Sequence, residues 1–333
     1  MKGSFRTAEA AVINMKITVI GCGRWGSLLT WYLDRIGHDV TLYGRESDPS
    51  MVRFIRERRN DLLELPESVA LTTDITRVPD CDAILISVNS QGLRGLLGEL
   101  RPLGIKNKIF ILCMKGLEIS TGKRLSVVTR EEVDPSNRVA VWIGPGHVQE
   151  FYAGVPNCMV IDSDSEEVKT MLVRSMSSDL IRFYYGGDLI GNEIGAAAKN
   201  VIGIAAGMLD GLGMSTLKGP LMSRGTREVS RLIEALGGKA VSAYGLCHLG
   251  DYEATVFSKF SHNRKFGESY VRGEEYTLLA EGYYTADAIH RLAEEHDIDM
   301  PICEAVYDIL YRGSAASDAL ERLFGRSLKC ELR

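Results

Sequence analysis

Ile17-Thr18-Val19-Ile20-Gly21-Cys22-Gly23-Arg24-Trp25-Gly26, then the helical run Ser27 to Ile36 and the segment Asp39 to Tyr43, decides how this chain folds. It reads as strand, glycine turn, helix, strand. A GxGxxG sequence alone carries little weight, but inside a βαβ unit of this size it marks a site for a dinucleotide pyrophosphate. Gly21 permits the tight turn, Gly23 lets the backbone approach the phosphates, and Gly26 lets helix and strand pack closely. The helix N-terminus offers unpaired N–H groups and a partial positive charge to the same phosphates. Arg24 and Trp25, inside the motif, belong to the same candidate cofactor site.

The end of the second strand bears on which dinucleotide binds. An NAD site usually places an acid there for the ribose hydroxyls. Here the strand runs out as Leu42-Tyr43-Gly44-Arg45-Glu46, with arginine ahead of the acid. Arg45 suits a 2′-phosphate, which inclines the expectation towards NADP and leaves NAD open. A solvated surface arginine is the plainer alternative.

Working outward, short apolar strands keep alternating with helical segments. Ala83 to Val88 is followed by Asn89-Ser90-Gln91 and a helical stretch, Lys108 to Met114 ends at Lys115-Gly116, and Arg138 to Ile143 ends at Gly144-Pro145-Gly146. Asn157 to Ile161 and Leu180 to Tyr184 flank the helical Glu166 to Met176. That rhythm predicts a mostly parallel sheet covered on both faces. Ligands of such sheets sit at the carboxyl ends of the strands, so Ser87 to Gln91, Lys115 and Gly144 to His147 are candidates to face the cleft. From Asp188 onward the pattern is helical, with main helices over Leu189 to Leu212, Thr216 to Leu236, Ala280 to His296 and Ile302 to Tyr311. The expected fold class is therefore α/β, a Rossmann-type, mostly parallel sheet domain followed by an all-α domain. The expected bounds are an N-terminal extension over 1–14, the dinucleotide-binding domain over 15–187 and a helical substrate domain over 188–333.

Composition sets the outer limits. The chain has 333 residues, 45% hydrophobic and 25% charged, and a formal net charge of −5, which suits two globular domains with ample core. Mild acidity without a basic cluster excludes a nucleic-acid partner from the expectation. Seven scattered cysteines with no CxxC spacing read as reduced thiols of a cytoplasmic protein, not as a disulfide framework or zinc site. No membrane insertion is expected, since the apolar run Val201 to Leu209 is broken by Asp210.

The first helix of the second half is the most informative. Asn192, Ala196, Lys199, Gly203, Ala206 and Asp210 fall on one stripe at the helical period. The small residues let another backbone or a cofactor come close, and Lys199 is a cation on a mostly buried helix. Desolvation lowers a lysine's pKa towards the range useful for proton transfer; a lysine snorkelling to water is the bland alternative. Further on, Asp251 follows a glycine-rich turn, Gly245 to Gly250, placed as a carboxylate would be to orient Lys199 or bind hydroxyls. Asn263, Arg264 and Lys265 supply an amide and cations for an anion clamp. Either segment alone reads as a polar loop capping a helix.

Taken together the motifs resemble those of the bacterial-type NAD(P)-dependent glycerol-3-phosphate dehydrogenases over nearly all of residues 16–312. The landmarks are the glycine loop, Lys115-Gly116, Gly144-Pro145 with Glu150, Lys199-Asn200-Val201, Asp210 to Gly213, Leu249-Gly250-Asp251, Asn263-Arg264 with Phe266-Gly267, Glu281-Gly282 and Met300-Pro301-Ile302. The resemblance implies reversible hydride transfer between NADP or NAD and dihydroxyacetone phosphate, giving sn-glycerol 3-phosphate for phospholipid synthesis. It implies Lys199 as general acid/base, with Lys115 and Asp251 completing the catalytic set. Lys115, Val148 and Glu281 are implied at the cofactor. Lys115, Gly144, Gly146, Asn200, Asp251, Ser261, His262, Asn263 and Arg264 are implied at the substrate, with Thr255 a nearby polar position. No metal is implied, and a homodimer is possible.

The chain departs from the family at three histidines. Where the family usually reads Gly-Pro-Ser-Phe-Ala-x-Glu, this chain has Gly144-Pro145-Gly146-His147-Val148-Gln149-Glu150. The family's Arg-Asn pair, whose arginine contacts the phosphate, appears as His262-Asn263, and His248 stands for a glycine. One expectation is that protonated His262 replaces the fixed cation; the other is that Arg264 or Lys265 reaches the phosphate instead. A reductase of a different small carbonyl, and a non-catalytic nucleotide-binding protein, are the alternative functions. Retention of Lys199, Lys115 and Asp251 weighs against the last.

Overall fold

The computed structural model describes residues 14–328 together with Cys330 and Glu331. The expected extension lies outside these except for Asn14. The first half alternates β1 (Lys16–Ile20), α1 (Arg24–Arg35), β2 (Asp39–Tyr43), α2 (Pro49–Glu57), β3 (Ala70–Thr72), β4 (Ala83–Ile86), α3 (Leu93–Leu100) and β5 (Ile109–Leu112). It continues with α4 (Leu125–Glu132), β6 (Arg138–Ile143), α5 (Val148–Tyr152), β7 (Asn157–Ser163), α6 (Glu166–Met176) and β8 (Ile181–Tyr185). The eight strands form one sheet in the order β3-β2-β1-β4-β5-β6-β7-β8. Every pairing is parallel except β6 with β7.

The strands are apolar throughout because both faces are covered. Successive residues of a strand point to opposite faces. In β4, accordingly, Ala83 and Leu85 join one buried cluster with Leu28 and Leu33 of α1, while Ile84 and Ile86 join another with Leu93 and Leu97 of α3. β3 was not anticipated, since three residues at a sheet edge leave too short a run to show a period. The order reverses at β1, where β2 lies on one side and β4 on the other. A ligand crevice opens at such a point, outside the carboxyl ends of the strands.

From Leu189 on, the chain is helical: α7 (Leu189–Gly211), α8 (Lys218–Ala235), α9 (His262–Arg272), α10 (Glu281–Glu295), α11 (Pro301–Tyr311) and α12 (Ala316–Phe324). α7 is buried along most of its length and forms the centre of this half. It admits a backbone at Gly207, beside the small-residue stripe. A Cβ built on Gly207 would stand 1.8 Å from the Arg264 carbonyl oxygen of α9, and one on Gly267 of α9 would stand 2.1 Å from that of Ile204. Two helices meeting at glycines approach closer than side chains allow. This explains why Asn263 to Lys265, read as a polar loop, is instead the first turn of a packed helix: its strongly polar sequence docks through Gly267 and Phe266.

Candidate active site

The glycine loop has the form of a cradle. Gly21 takes φ +109, and a Cβ there would lie 2.2 Å from the Ser87 carbonyl oxygen at the end of β4. A Cβ on Gly26 would lie 1.9 Å from the Gly21 carbonyl oxygen, whereas one on Gly23 would meet nothing within 4 Å. Two glycines thus serve packing, and the third faces open space at the N-terminus of α1, where a pyrophosphate would rest. Val148 is buried at the start of α5, and Trp25 packs against Phe151 at 6.1 Å between ring centroids. Across the crevice, the first residue of α10, Glu281, accepts a hydrogen bond through Oε1 from the Ser90 amide at 3.0 Å. Its Oε2 and the Ser90 hydroxyl are both buried without partners, and burial holds the Glu281 carboxyl above its ordinary range. These groups fit a ligand that brings its own donors. Arg45, at the end of β2, is exposed and donates to Glu99 at 2.6 Å.

The centre of the site is a buried cluster of two cations and one anion. Lys199 Nζ, on α7, lies 2.7 Å from the Thr255 hydroxyl and 3.0 Å from Asp251 Oδ2. Lys115, just beyond β5, reaches the same Oδ2 at 2.8 Å and also donates to the carbonyl of Gly144. Asp251 Oδ1 is buried with no partner. Thr255 sits in a wide turn from Glu253 to Phe257 and donates to the Asp251 carbonyl at 2.7 Å, so its oxygen is left to accept from Lys199. Burial lowers the Lys199 pKa to about 8, Asp251 opposing and Lys115 reinforcing the shift.

A ladder of amides locks this cluster in place. Asn200 donates to the Lys115 carbonyl at 2.8 Å and accepts from Asn263 at 3.0 Å, and Asn263 in turn accepts from the Gly282 amide at 2.9 Å. Each amide is thereby oriented, and β5, α7, α9 and α10 are joined through their active-site ends. Ser261 caps α9, accepting weakly from the Arg264 amide at 3.3 Å.

The altered positions have separate fates. His248 is fully buried; its Nδ1–H donates to the Gly195 carbonyl at 2.9 Å and its Nε2 accepts from Tyr252 at 2.7 Å. It is a neutral tie between α7 and the turn that carries Asp251, and burial drops its pKa to about 4. Gly146 takes φ +144 with Phe151 in the space a Cβ would need. His147 packs edge-on against Phe260 at 5.5 Å, and its Nε2 is buried without a partner. Arg264, expected at the substrate, does not join the lysine cluster: Asp210 at 2.6 Å and Glu268 at 2.9 Å hold its guanidinium. The expectation of a protonated His262 also gives way. Arg24 lies 3.0 Å from its Nε2, and a guanidinium can only donate, so that nitrogen accepts and Nδ1–H is left for the Tyr276 hydroxyl at 2.7 Å. Burial, then Arg24 and Lys265, push the His262 pKa down.

Ser90 falls within Ser87 to Gln91, the stretch expected to face the cleft. Tyr276 was missed as a site residue: in irregular chain without a motif, it gave no signal.

The chain is similar to known proteins over nearly its whole length. Residues 16–169 match the family model for the NAD-dependent glycerol-3-phosphate dehydrogenase N-terminus, and residues 188–321 match that for the C-terminus. The glycerol-3-phosphate dehydrogenase [NAD(P)+] of Thermoanaerobacter sp. (strain X514) is 33% identical over 330 residues, covering 96% of this chain and 99% of that protein. That of Bradyrhizobium sp. (strain ORS 278) is 37% identical over 322 residues, covering 95% and 98%. Among solved structures, the glycerol-3-phosphate dehydrogenase of Coxiella burnetii superposes with a TM-score of 0.86 at 29% identity, covering 94% of this chain and 99% of that one.

Proposed function

The chain belongs to the NAD-dependent glycerol-3-phosphate dehydrogenase family, and from that premise we infer that it interconverts dihydroxyacetone phosphate and sn-glycerol 3-phosphate with NAD or NADP. The observation that carries the mechanism is the buried Lys199 amine held between Thr255 and Asp251. The nicotinamide, when bound, supplies or accepts the hydride. The cradle at Gly21, Gly23 and Gly26 with the α1 N-terminus would hold its pyrophosphate, and Glu281 with Ser90 its other end.

Lys199 manages the proton. An ammonium there donates to the substrate's C2 oxygen during ketone reduction, and the neutral amine takes the proton back during alcohol oxidation. Thr255 and Asp251 occupy two of its donor directions and leave the third for substrate. Two lysines against one carboxylate leave one net positive charge in the cluster. In a desolvated site that charge stabilises negative charge developing on the C2 oxygen. Asn200 and Asn263 fix the lysines' positions rather than touching the proton. Supply of glycerol 3-phosphate to phospholipid synthesis is the role that follows.

Cofactor oxidation with dihydroxyacetone phosphate, run with NADH and NADPH in parallel, tests the reading. Phosphate-dependent turnover is expected, and Lys199→Ala should abolish it while leaving nucleotide binding nearly intact. Tight nucleotide binding without turnover by the unaltered protein would refute the assignment.

A further inference from the structure

Of the three groups offered in place of the family's phosphate-contacting arginine, His262 and Arg264 are spoken for, and Lys265 is exposed on α9. His262, at that position, is a neutral acceptor. Arg264, two residues on, is neutralised by Asp210 and Glu268. A cation does stand at the place, but it comes from the other half of the molecule. Arg24 is the first residue of α1, and its Nη1 donates across the crevice to His262 Nε2 at 3.0 Å. Among the described residues His262 is the only hydrogen-bond partner of this guanidinium, and no carboxylate pairs with it.

We propose that Arg24 supplies the charge that binds the substrate's phosphate, with His262 and Tyr276 as the positioning residues that aim it. The proposal rests on the dehydrogenase reading and names the residue that sets its preference for a phosphorylated substrate. A guanidinium has five donors in a fixed fork. One is used on His262, and that bond orients the fork so that the others face a dianion. The tautomer is set from behind by Tyr276 at 2.7 Å from Nδ1.

A second observation puts a ligand at this place. His147 Nε2 is buried and unpartnered, and the carbonyl of Gly144, three residues back, accepts from Lys115. Its ring packs on Phe260, close in sequence to His262. His147 is thereby tied to both walls, to the lysine cluster through the Gly144 loop and to the Arg24–His262 contact through Phe260, and a three-carbon phosphate would run between the two. Its orphan nitrogen is available to a substrate oxygen, taking over from the serine hydroxyl that the chain lacks at Gly146. The charge has moved from α9 to α1, and the histidine at 262 converts the former cation position into a seat for the new one.

Charge relocation gives a clean test. Arg24→Gln keeps a donor for His262 but removes the charge. It should raise KM for dihydroxyacetone phosphate about ten- to hundredfold, the loss of a charge-assisted contact, with kcat changed less than about threefold. Arg24→Gln with His262→Arg returns the cation from the opposite wall and should restore most of the affinity. NADH-loaded protein titrated with inorganic phosphate gives the same comparison without turnover, so it stands even if the substrate assignment fails. Phosphate affinity lost in Arg24→Gln and regained in the double variant supports the proposal. Phosphate affinity unchanged in Arg24→Gln, or lost only in Lys265→Gln, overturns it, as does a defect confined to NADH binding.

Discussion

Lys199 Nζ lies 3.0 Å from Asp251 Oδ2, while the other oxygen of that carboxylate is buried with no partner. The pairing favours the ammonium, yet burial outweighs it and brings the pKa to about 8. The proton donor of ketone reduction is the charged form, so kcat for reduction should fall as pH rises through about 8. The proton acceptor of alcohol oxidation is the neutral form, so kcat in that direction should rise through the same range. Profiles in the two directions that run parallel instead of opposed would exclude Lys199 as the shared group.

The same depression has a consequence for stability. A lysine with its folded pKa near 8 and an ordinary value of 10.5 when unfolded costs the native state most below about 8, where both states are charged. The cost fades as pH climbs from 8 towards 10.5. Lys199→Met should therefore be inactive but more stable at pH 7, by about 1–3 kcal/mol, and the gain should shrink at higher pH. Asp251 keeps Lys115 as its counter-ion in that variant. Urea denaturation at two pH values checks it, and a variant less stable than the parent at pH 7 would contradict it.

How much of this could be read in advance depends on the residue. Gly21, Gly26 and Lys199 were legible because local geometry forces their type: a turn, a close approach and a cation on an apolar helix each show in sequence. The Lys199 cluster itself needed family motifs, since nothing local says that Lys115 and Asp251 converge on one oxygen. Arg264 and His262 illustrate the limit. Both look like phosphate cations in a string, and only the distances to Asp210 and Arg24 show one neutralised and the other accepting. β3 and α9 were missed because a short edge strand and a glycine-docked polar helix carry almost no hydrophobic period.

Gly146 shows why restoring a family residue need not restore its contact. Its φ of +144 is one that side-chain-bearing residues rarely adopt, and a Cβ would fall 2.1 Å from the buried Phe151 ring. Gly146→Ser should destabilise the protein by about 2–4 kcal/mol without improving KM for the phosphorylated substrate. Adding Phe151→Ala would remove the clash but not the backbone strain. Equilibrium denaturation with substrate kinetics on both variants decides it; a stable serine variant with lowered KM would mean that the loop rebuilds itself.

A role for Arg45 in cofactor preference can be tested through its contact with Glu99, to which it donates at 2.6 Å. Both side chains are about half exposed, and exposed pairs hold weakly against solvent and salt. A 2′-phosphate, carrying more charge than Glu99, competes well for the same guanidinium. Glu99→Gln should then lower KM for NADPH severalfold and leave NADH unchanged. Arg45→Ala should raise KM for NADPH about tenfold, again sparing NADH, because the ribose hydroxyls of NADH do not need a cation. The two substitutions push the NADPH-to-NADH ratio in opposite directions, which a general loosening of the rim cannot do. Equal effects on both nucleotides would reduce Arg45 to the partner of Glu99 and leave selectivity to Glu46 and the strand end.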